Sequence, residues 1–308
     1  MAKRSYGRHG IETSNEDKVL FPDEGMTKGE LIDYYERIAD RILPHLEDRP
    51  LVLQRFPDGI AKDGFYQKQV SEHFPDWIET VRVDVRGSGG TQDLVVCDKK
   101  ATLAFLADQA CITLHPWLSK CDAVDDPDSL VIDLDPPGDG FEQARRAALR
   151  VRGLLEELEL PSVVKLTGSK GLHVTVPLDH REGFDAVRDF ARSAMELLAA
   201  RHPDDLTTEQ RKDKRRGRVY LDAGRNAYGQ TAVAPWSVRP RAGAPVAAPV
   251  SWDDVEGGGL GPRDYTVKNV FRSLGQRDDP WSGWRRRARS LNAARERLAR
   301  LREEEGRG

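Results

Sequence analysis

Cysteine is scarce in this chain. Cys97, Cys111 and Cys121 are the only three in 308 residues, too few for a disulfide framework and typical of a reducing compartment. No C-x₂₋₄-C pair occurs, so Cys97, Cys111, His115 and Cys121 lack the spacing of a zinc site. Long apolar runs are missing too. None approaches the roughly 20 residues of a membrane span, and the opening MAKRSYGRHG has no apolar stretch behind its charges, which argues against a signal peptide. Neither sign of charge dominates: 48 basic and 51 acidic residues leave a net −3, so overall charge does not mark a nucleic-acid binder. We find no internal repeat.

What is present is a chain long enough for one large domain or two joined lobes, with an ordinary 38% of hydrophobic residues. After a polar leader at 1–12, DKVLFP opens the fold. KGELIDYYERIADRILPHL reads as an amphipathic helix, with Leu31, Tyr34, Tyr35, Ile38, Ile42 and Leu46 at helical spacing. Thr27 and Glu30 stand at capping-box spacing at its start. PLVLQRFPDG reads as a strand closed by a turn, and TLAFLADQACITLHPW as a helix followed by an extended piece. The second half alternates: SLVIDLD strand, FEQARRAALRVRGLLEEL helix, SVVKL strand, TGSKG loop, LHVTVPL strand, FDAVRDFARSAMELLAARH helix, RVYLD strand. This β-α-β-β-α-β order is the ferredoxin-like or RRM-like pattern. From about Arg285 the chain reads as a charged helix whose thin stripe of Leu291, Leu298 and Leu301 promises little packing.

The chemistry concentrates in carboxylates. Asp133 and Asp135 lie two apart on an apolar strand, so both point to one face while Leu134 points to the other. Two such charges side by side suit a hard cation between them, although a strand end running into a polar Asp-Pro turn would look the same. An EF-hand loop is excluded, because Pro137 and Ala144 fall where its fifth and twelfth positions would be. Asp222 ends a second apolar strand, VYLD. A D-x-D pair with a distant strand-borne Asp is the set that two-metal phosphoryl chemistry uses. Between two strands, KLTGSKGLHV offers Gly168 and Gly171 for close backbone approach, the Thr167 and Ser169 hydroxyls, and Lys170. That suits an anion, though a Gly-rich hairpin turn is the plainer alternative, and Walker A spacing is absent. His115 and His173 each read, taken alone, as core histidines. Arg211, Lys212, Lys214, Arg215, Arg216 and Arg218 form one basic run and Arg285, Arg286 and Arg287 another, patterns shared with any solvated face.

Taken together, NEDKVLFP, VIDLDPP, LTGSKGLHVTVPL and VYLDAGRNAYGQTAVAPWSVRPRAGAPV resemble the polymerase domain of bacterial ligase D, in the archaeo-eukaryotic primase group that works in non-homologous end joining. The resemblance runs from about Ile11 to Arg272. It implies an α/β (α+β) fold: a primase-type catalytic core with an RRM-like mixed sheet flanked by helices, plus an N-terminal α/β lobe. The polymerase domain would span 13–285, with lobes at about 13–127 and 128–285, and 286–308 would be a charged C-terminal helix or tail. The resemblance implies that Asp133, Asp135 and Asp222 hold two Mn²⁺ or Mg²⁺ ions. It implies that Ser169, Lys170, Thr167, His115, Arg215, Arg225, Arg239 and Gln54 meet the incoming ribonucleoside triphosphate. Phe65 and Tyr66, with Arg55 and Lys68, would meet the template. Asn15, Lys18 and Lys28 would bind the 5′-phosphate of a broken end. Tyr66 replaces a Phe, Gln54 stands where some members carry Lys, and Arg225 where some carry Gln. The K-x-D-G adenylation signature of a ligase is absent, so the resemblance points to a stand-alone polymerase acting on gapped or broken DNA in the cytoplasm, at the nucleoid. A separate ligase and a Ku-type end-binding protein would be its partners. The rival expectations are a repriming, lesion-bypass or excision-repair gap-filling primase-polymerase, a two-metal nuclease, and an inactive end-binding module.

Overall fold

The computed structural model describes residues 2–87 and 89–306. They form two compact units interleaved along the chain. The first takes in the chain through Asp122, then Thr231–Ala248 and Tyr265–Gly275. The second takes in Ala123–Gln230, Pro249–Asp264 and the chain from Gln276. Segments 231–248 and 265–275 thus belong with the first unit although they follow VIDLDPP and VYLD in sequence.

In the first unit the polar opening is a hairpin of β1 (Ala2–Tyr6) and β2 (His9–Thr13). A second short pair, β3 (Val19–Phe21) and β4 (Met26–Thr27), delivers the chain to α1 (Lys28–Leu46). The expected capping box is formed: the Thr27 hydroxyl accepts from the Glu30 N–H, and the Glu30 carboxylate accepts from the Thr27 N–H at 2.7 Å. All six residues of the expected apolar stripe on α1 are buried. The sheet is built on β5 (Pro50–Arg55), β6 (Phe65–Gln67), β7 (Thr80–Asp84) and β8 (Thr91–Val96), with α2 (Lys100–Asp108) and β9 (Cys111–Pro116) following. β9 runs along one side of β5, and β8 then β6 along the other. Buried tyrosines tie in the later segment: Tyr34 donates to the Trp236 carbonyl at 2.7 Å, and Tyr35 to that of Ile112 at 2.6 Å with Ser237 Oγ at 3.1 Å.

The second unit carries β10 (Ser129–Asp135), α3 (Phe141–Glu157), β11 (Val163–Leu166), β12 (Leu172–Pro177), α4 (Phe184–Arg201), β13 (Leu206–Thr207), β14 (Val219–Asp222) and β15 (Pro249–Val250). Its six-stranded sheet has the order β13-β14-β10-β12-β11-β15. The inner four are the RRM-like set in RRM-like order, antiparallel throughout, and a parallel β13–β14 pair makes the sheet mixed. One face is apolar: Ile132, Leu134, Leu172, Val174, Val164 and Leu221 are at most 1% exposed. α3 and α4 pack on the sheet through Ala144, Ala147, Val151, Val187, Ala191 and Ala194. Small residues let these helices approach closely, and the second face is left to polar side chains. Asn226, fully buried, accepts from the Val131 N–H and donates to the Val131 carbonyl, both at 2.8 Å, so a side chain stands in for a strand partner there.

After the short helices α5 (Trp252–Glu256) and α6 (Val270–Leu274), the last helix is α7 (Asn292–Glu305). It differs from the loosely attached helix expected. Leu291, Ala294 and Leu298 are at most 3% exposed, and the helix packs on α4. Arg295 pairs with Glu182, Arg297 with Glu159 and Glu305 with Arg201. The thin stripe suffices because α4 presents a matching one, while the charges find partners around it. Leu298→Ala should therefore lower unfolding free energy by about 2 kcal/mol or more, read as a shifted urea midpoint at unchanged slope. A midpoint equal to that of the unaltered protein would contradict the docking.

Candidate active site

The polar face of the second unit's sheet is organised by register. In an antiparallel pair, directly opposed residues share a face. Asp133 on β10 lies opposite Asp222 on β14 and, on its other side, opposite His173 on β12. His173 in turn lies opposite Lys165 on β11. A single row therefore crosses four strands: Asp222, Asp133, His173, Lys165. Asp135, two residues along β10, sits on the same face opposite Tyr220. The three carboxylates expected from sequence are thus brought together on adjacent strands at one sheet end.

Each carboxylate has a partner. Arg225 Nε donates to Asp133 Oδ2 at 3.2 Å, and His173 Nε2 lies 3.4 Å from Asp133 Oδ1. Arg215 Nη1 donates to Asp135 Oδ2 at 2.8 Å, with its guanidinium 4.1 Å over the Tyr220 ring. Asp222 Oδ1 accepts from the Gly224 N–H at 2.7 Å and the Tyr220 hydroxyl at 3.3 Å. Burial would raise the Asp133 carboxyl, but His173 and Arg225 outweigh it and hold Asp133 well below the usual carboxylate range. Burial pushes the His173 imidazole down, against the pull of Asp133. The two carboxylates of the D-x-D pair are not left to repel one another, as sequence alone suggested. Guanidinium groups offset them, and one comes from the basic run at 211–218.

The donor set, acceptor-only carboxylate oxygens on rigid strands, suits a hard divalent cation. The arginines on Asp133 and Asp135 mark where positive charge is stabilised. Among the described residues no three carboxylate, imidazole or thiolate groups stand in an arrangement that could hold a metal ion; Arg225 and Arg215 hold Asp133 and Asp135.

The loop from Thr167 to Gly171 joins β11 to β12 beside this row. Gly168 has φ +66°, where glycine is favoured. Gly171 has no room for a side chain: a Cβ would stand 1.9 Å from the Leu134 carbonyl oxygen, so the loop is laid directly on the strand that bears Asp133 and Asp135. Thr167, buried, spends its hydroxyl on the loop itself, donating to the Gly171 carbonyl at 3.0 Å. Lys170 is exposed and Ser169 partly so. Arg263 Nε donates to the Ser169 carbonyl at 3.2 Å. His173, Tyr220 and Arg263 were not singled out as site residues. For the first two, the clue lies in which residues oppose one another across strands, and one strand's alternation does not carry that.

The remaining candidates belong to the first unit. Phe65 and Tyr66 are 47% and 59% exposed, unusual for rings of this size. The Arg55 guanidinium lies 5.5 Å from the Phe65 centroid, and Tyr66 meets the His115 ring edge-on at 5.7 Å. Gln54 opposes Tyr66 in register, and Lys68 is exposed. Arg239 is half-buried on the 231–248 segment, its N–H donating to the Pro245 carbonyl. Asn15, Lys18 and Lys28 are linked by backbone: Lys18 N–H donates to the Asn15 carbonyl at 3.0 Å, and Lys28 N–H to the Lys18 carbonyl at 2.8 Å. Lys18 is exposed and paired with Asp58 at 2.8 Å, whereas Lys28 is buried against Asp108 at 2.8 Å.

Comparison with known proteins gives the family. Residues 27–281 match the model of the LigD primase-polymerase domain. The chain is 34% identical over 262 residues to the multifunctional non-homologous end joining protein LigD of Mycolicibacterium smegmatis, covering 83% of this chain and 34% of that protein. It is 31% identical over 288 residues to its Pseudomonas aeruginosa counterpart, covering 92% and 34%. It therefore spans about a third of the length of these relatives. Among solved structures, the polymerase domain of Mycobacterium tuberculosis ligase D in complex with DNA matches with a TM-score of 0.82 at 29% identity, over 91% of this chain and 99% of that one. With a family match over most of its length, the chain belongs to the LigD primase-polymerase domain family, a family of nucleotidyl transferases.

Proposed function

We propose that this chain extends DNA ends and fills gaps by template-directed nucleotidyl transfer in end joining, with ribonucleotides preferred. The observation that carries the reading is the in-register set of Asp133, Asp135 and Asp222 on one sheet face, each within reach of a cationic or N–H partner. In the reaction a primer 3′-oxygen bonds to the α-phosphorus of the incoming nucleotide and the bond to pyrophosphate breaks. Asp133, Asp135 and Asp222 would hold the cations, Mn²⁺ or Mg²⁺, whose charge activates the attacking hydroxyl and steadies the leaving group. Arg215 and Arg225, released from their carboxylates, can turn to phosphate oxygens, which guanidinium forks bind bidentately. Lys170 and Ser169 would hold the triphosphate from the loop set by Gly171. His173 would fix the Asp133 carboxylate in orientation. Thr167 would act by shaping the loop, and His115, Gln54 and Arg239 would supply nucleotide contacts as the resemblance implies.

Phe65 and Tyr66 would stack on template bases, with Arg55 and Lys68 beside them for the backbone. Their exposure supports this, because an exposed ring pair gains by stacking on a base. Asn15, Lys18 and Lys28 would receive a 5′-phosphate at the start of α1, where the positive end of the helix dipole favours anions. A Ku-type protein and a DNA ligase activity would complete the joining. Among the described residues no helix is long and apolar enough to cross a membrane, and we place the activity in the cytoplasm, at the nucleoid.

Two outcomes test this. With primed DNA, Mn²⁺ and labelled nucleotides, the protein should add ribonucleotides faster than deoxyribonucleotides, and Asp133→Ala should reduce addition by about three orders of magnitude or more. Undiminished extension by Asp133→Ala would remove the site assignment, and equal rates for both sugars would remove the sugar preference. In anisotropy titrations, gapped DNA with a 5′-phosphate should bind more tightly than the same DNA with a 5′-hydroxyl. The difference should shrink with salt and largely disappear in Lys18→Ala/Lys28→Ala. Identical affinities for both ends in the unaltered protein would remove the phosphate pocket.

A further inference from the structure

The β1–β2 hairpin lies ahead of the 27–281 stretch that matches the family, yet its Arg4 reaches the turn that carries Asn15 and Lys18. Arg4 grips Glu16 with both arms of its fork: Nε donates to Oε1 at 3.1 Å and Nη2 to Oε2 at 2.8 Å. Its Nη1 donates to Asp33 at 2.6 Å and to Glu36 at 3.0 Å, both on α1. Thr13 adds a hydroxyl contact to Glu16, and Tyr6 one to Glu36. One guanidinium, 19% exposed, thus gathers three carboxylates from the turn and the first helix.

Glu16 sits where the end-binding turn is built. Its carbonyl accepts from the Gly29 N–H at 2.9 Å. A Cβ on Gly29 would stand 3.2 Å from the Glu16 side chain. The residue before it, Asn15, holds φ +46°. Arg4, foremost, together with Thr13 and Lys28, holds the Glu16 carboxyl down to about 2 against its partial burial. Glu16 is therefore a full negative charge within the field of Lys28, which already has Asp108 at 2.8 Å. An anion seated at Lys28 competes with every carboxylate that Lys28 can reach. Engaging Glu16 removes one competitor and offsets the like charges of Asp33 and Glu36 nearby.

We propose that Arg4 is a positioning residue for end recognition: by occupying Glu16 it keeps that carboxylate from competing with a terminal phosphate for Lys28 and the Asn15–Lys18 turn. This rests on the phosphate-pocket reading given above. The role differs from mere stapling of the hairpin, because it makes Glu16's charge, and not its shape, the obstacle when Arg4 is lost.

The test is the ratio of affinities for 5′-phosphorylated and 5′-hydroxyl gapped DNA, measured by anisotropy in full-length unaltered protein, Arg4→Ala, Glu16→Gln and the double variant, with the thermal midpoint of each. Arg4→Ala should lower the ratio by about fivefold or more. Glu16→Gln should keep it, and the double variant should recover most of it even if its thermal midpoint stays low. A ratio in Arg4→Ala equal to that of the unaltered protein, or a double variant as poor as Arg4→Ala, would overturn the role of Arg4 while leaving the pocket standing. A ratio of one in the unaltered protein would remove the pocket itself, and this role with it. If Arg4→Ala does not fold, the unaltered protein, Glu16→Gln and the double variant decide: an unaltered ratio retained in both variants supports the role, and its loss in the double variant alone overturns it.

Discussion

The second unit depends on how β10 is seated between β14 and β12. Opposed antiparallel residues stand about 5 Å apart at Cβ, and at that distance two unit charges repel by about 3 kcal/mol at an effective dielectric of about 20. The register sets Asp133 against Asp222, so the fold accepts this repulsion at one sheet end. It is tolerated because Arg225, Arg215, His173 and the Gly224 N–H each supply positive charge or a donor. The reverse face contributes the means: Leu134, Leu221 and Leu172, in register across the same three strands and essentially unexposed, bind the strands to their helices.

That arrangement explains why the arginines matter in both states of the site. Paired with carboxylates, they stabilise an otherwise overcharged face. In the proposed reaction, cations held by the carboxylates would leave the same guanidiniums free for a polyphosphate. Gly171 connects the two functions, since its missing side chain lets the phosphate loop lie on the Leu134 carbonyl.

Much of this was legible in the residue order. The capping box at Thr27 and Glu30, the α1 stripe and the β-α-β-β-α-β run follow from local spacing, and local spacing is what a single chain displays. The D-x-D face followed from strand alternation alone. Pairing across strands was not legible: His173 reads as a core histidine until register sets it against Asp133, and Tyr220 until it lies opposite Asp135. The strands Thr80–Asp84 and Thr91–Val96 escaped because the first alternates over only five residues and the second joins a polar TQD to an apolar LVV. The terminal helix was underestimated because its burial depends on the stripe of α4, distant in sequence. Arg4 stood in what read as a polar leader, and its three carboxylate partners lie 12 to 32 residues away.

The proposed reaction turns on Asp133, Asp135 and Asp222 taking up divalent cations, with Arg225 and Arg215 leaving the first two. Calorimetric titration of Mn²⁺, in the presence of a non-hydrolysable ribonucleoside triphosphate, measures this directly. Saturable binding in the unaltered protein, lost or weakened by about tenfold or more in Asp222→Asn at unchanged fold, is the predicted result. An isotherm for Asp222→Asn superimposable on that of the unaltered protein would contradict it.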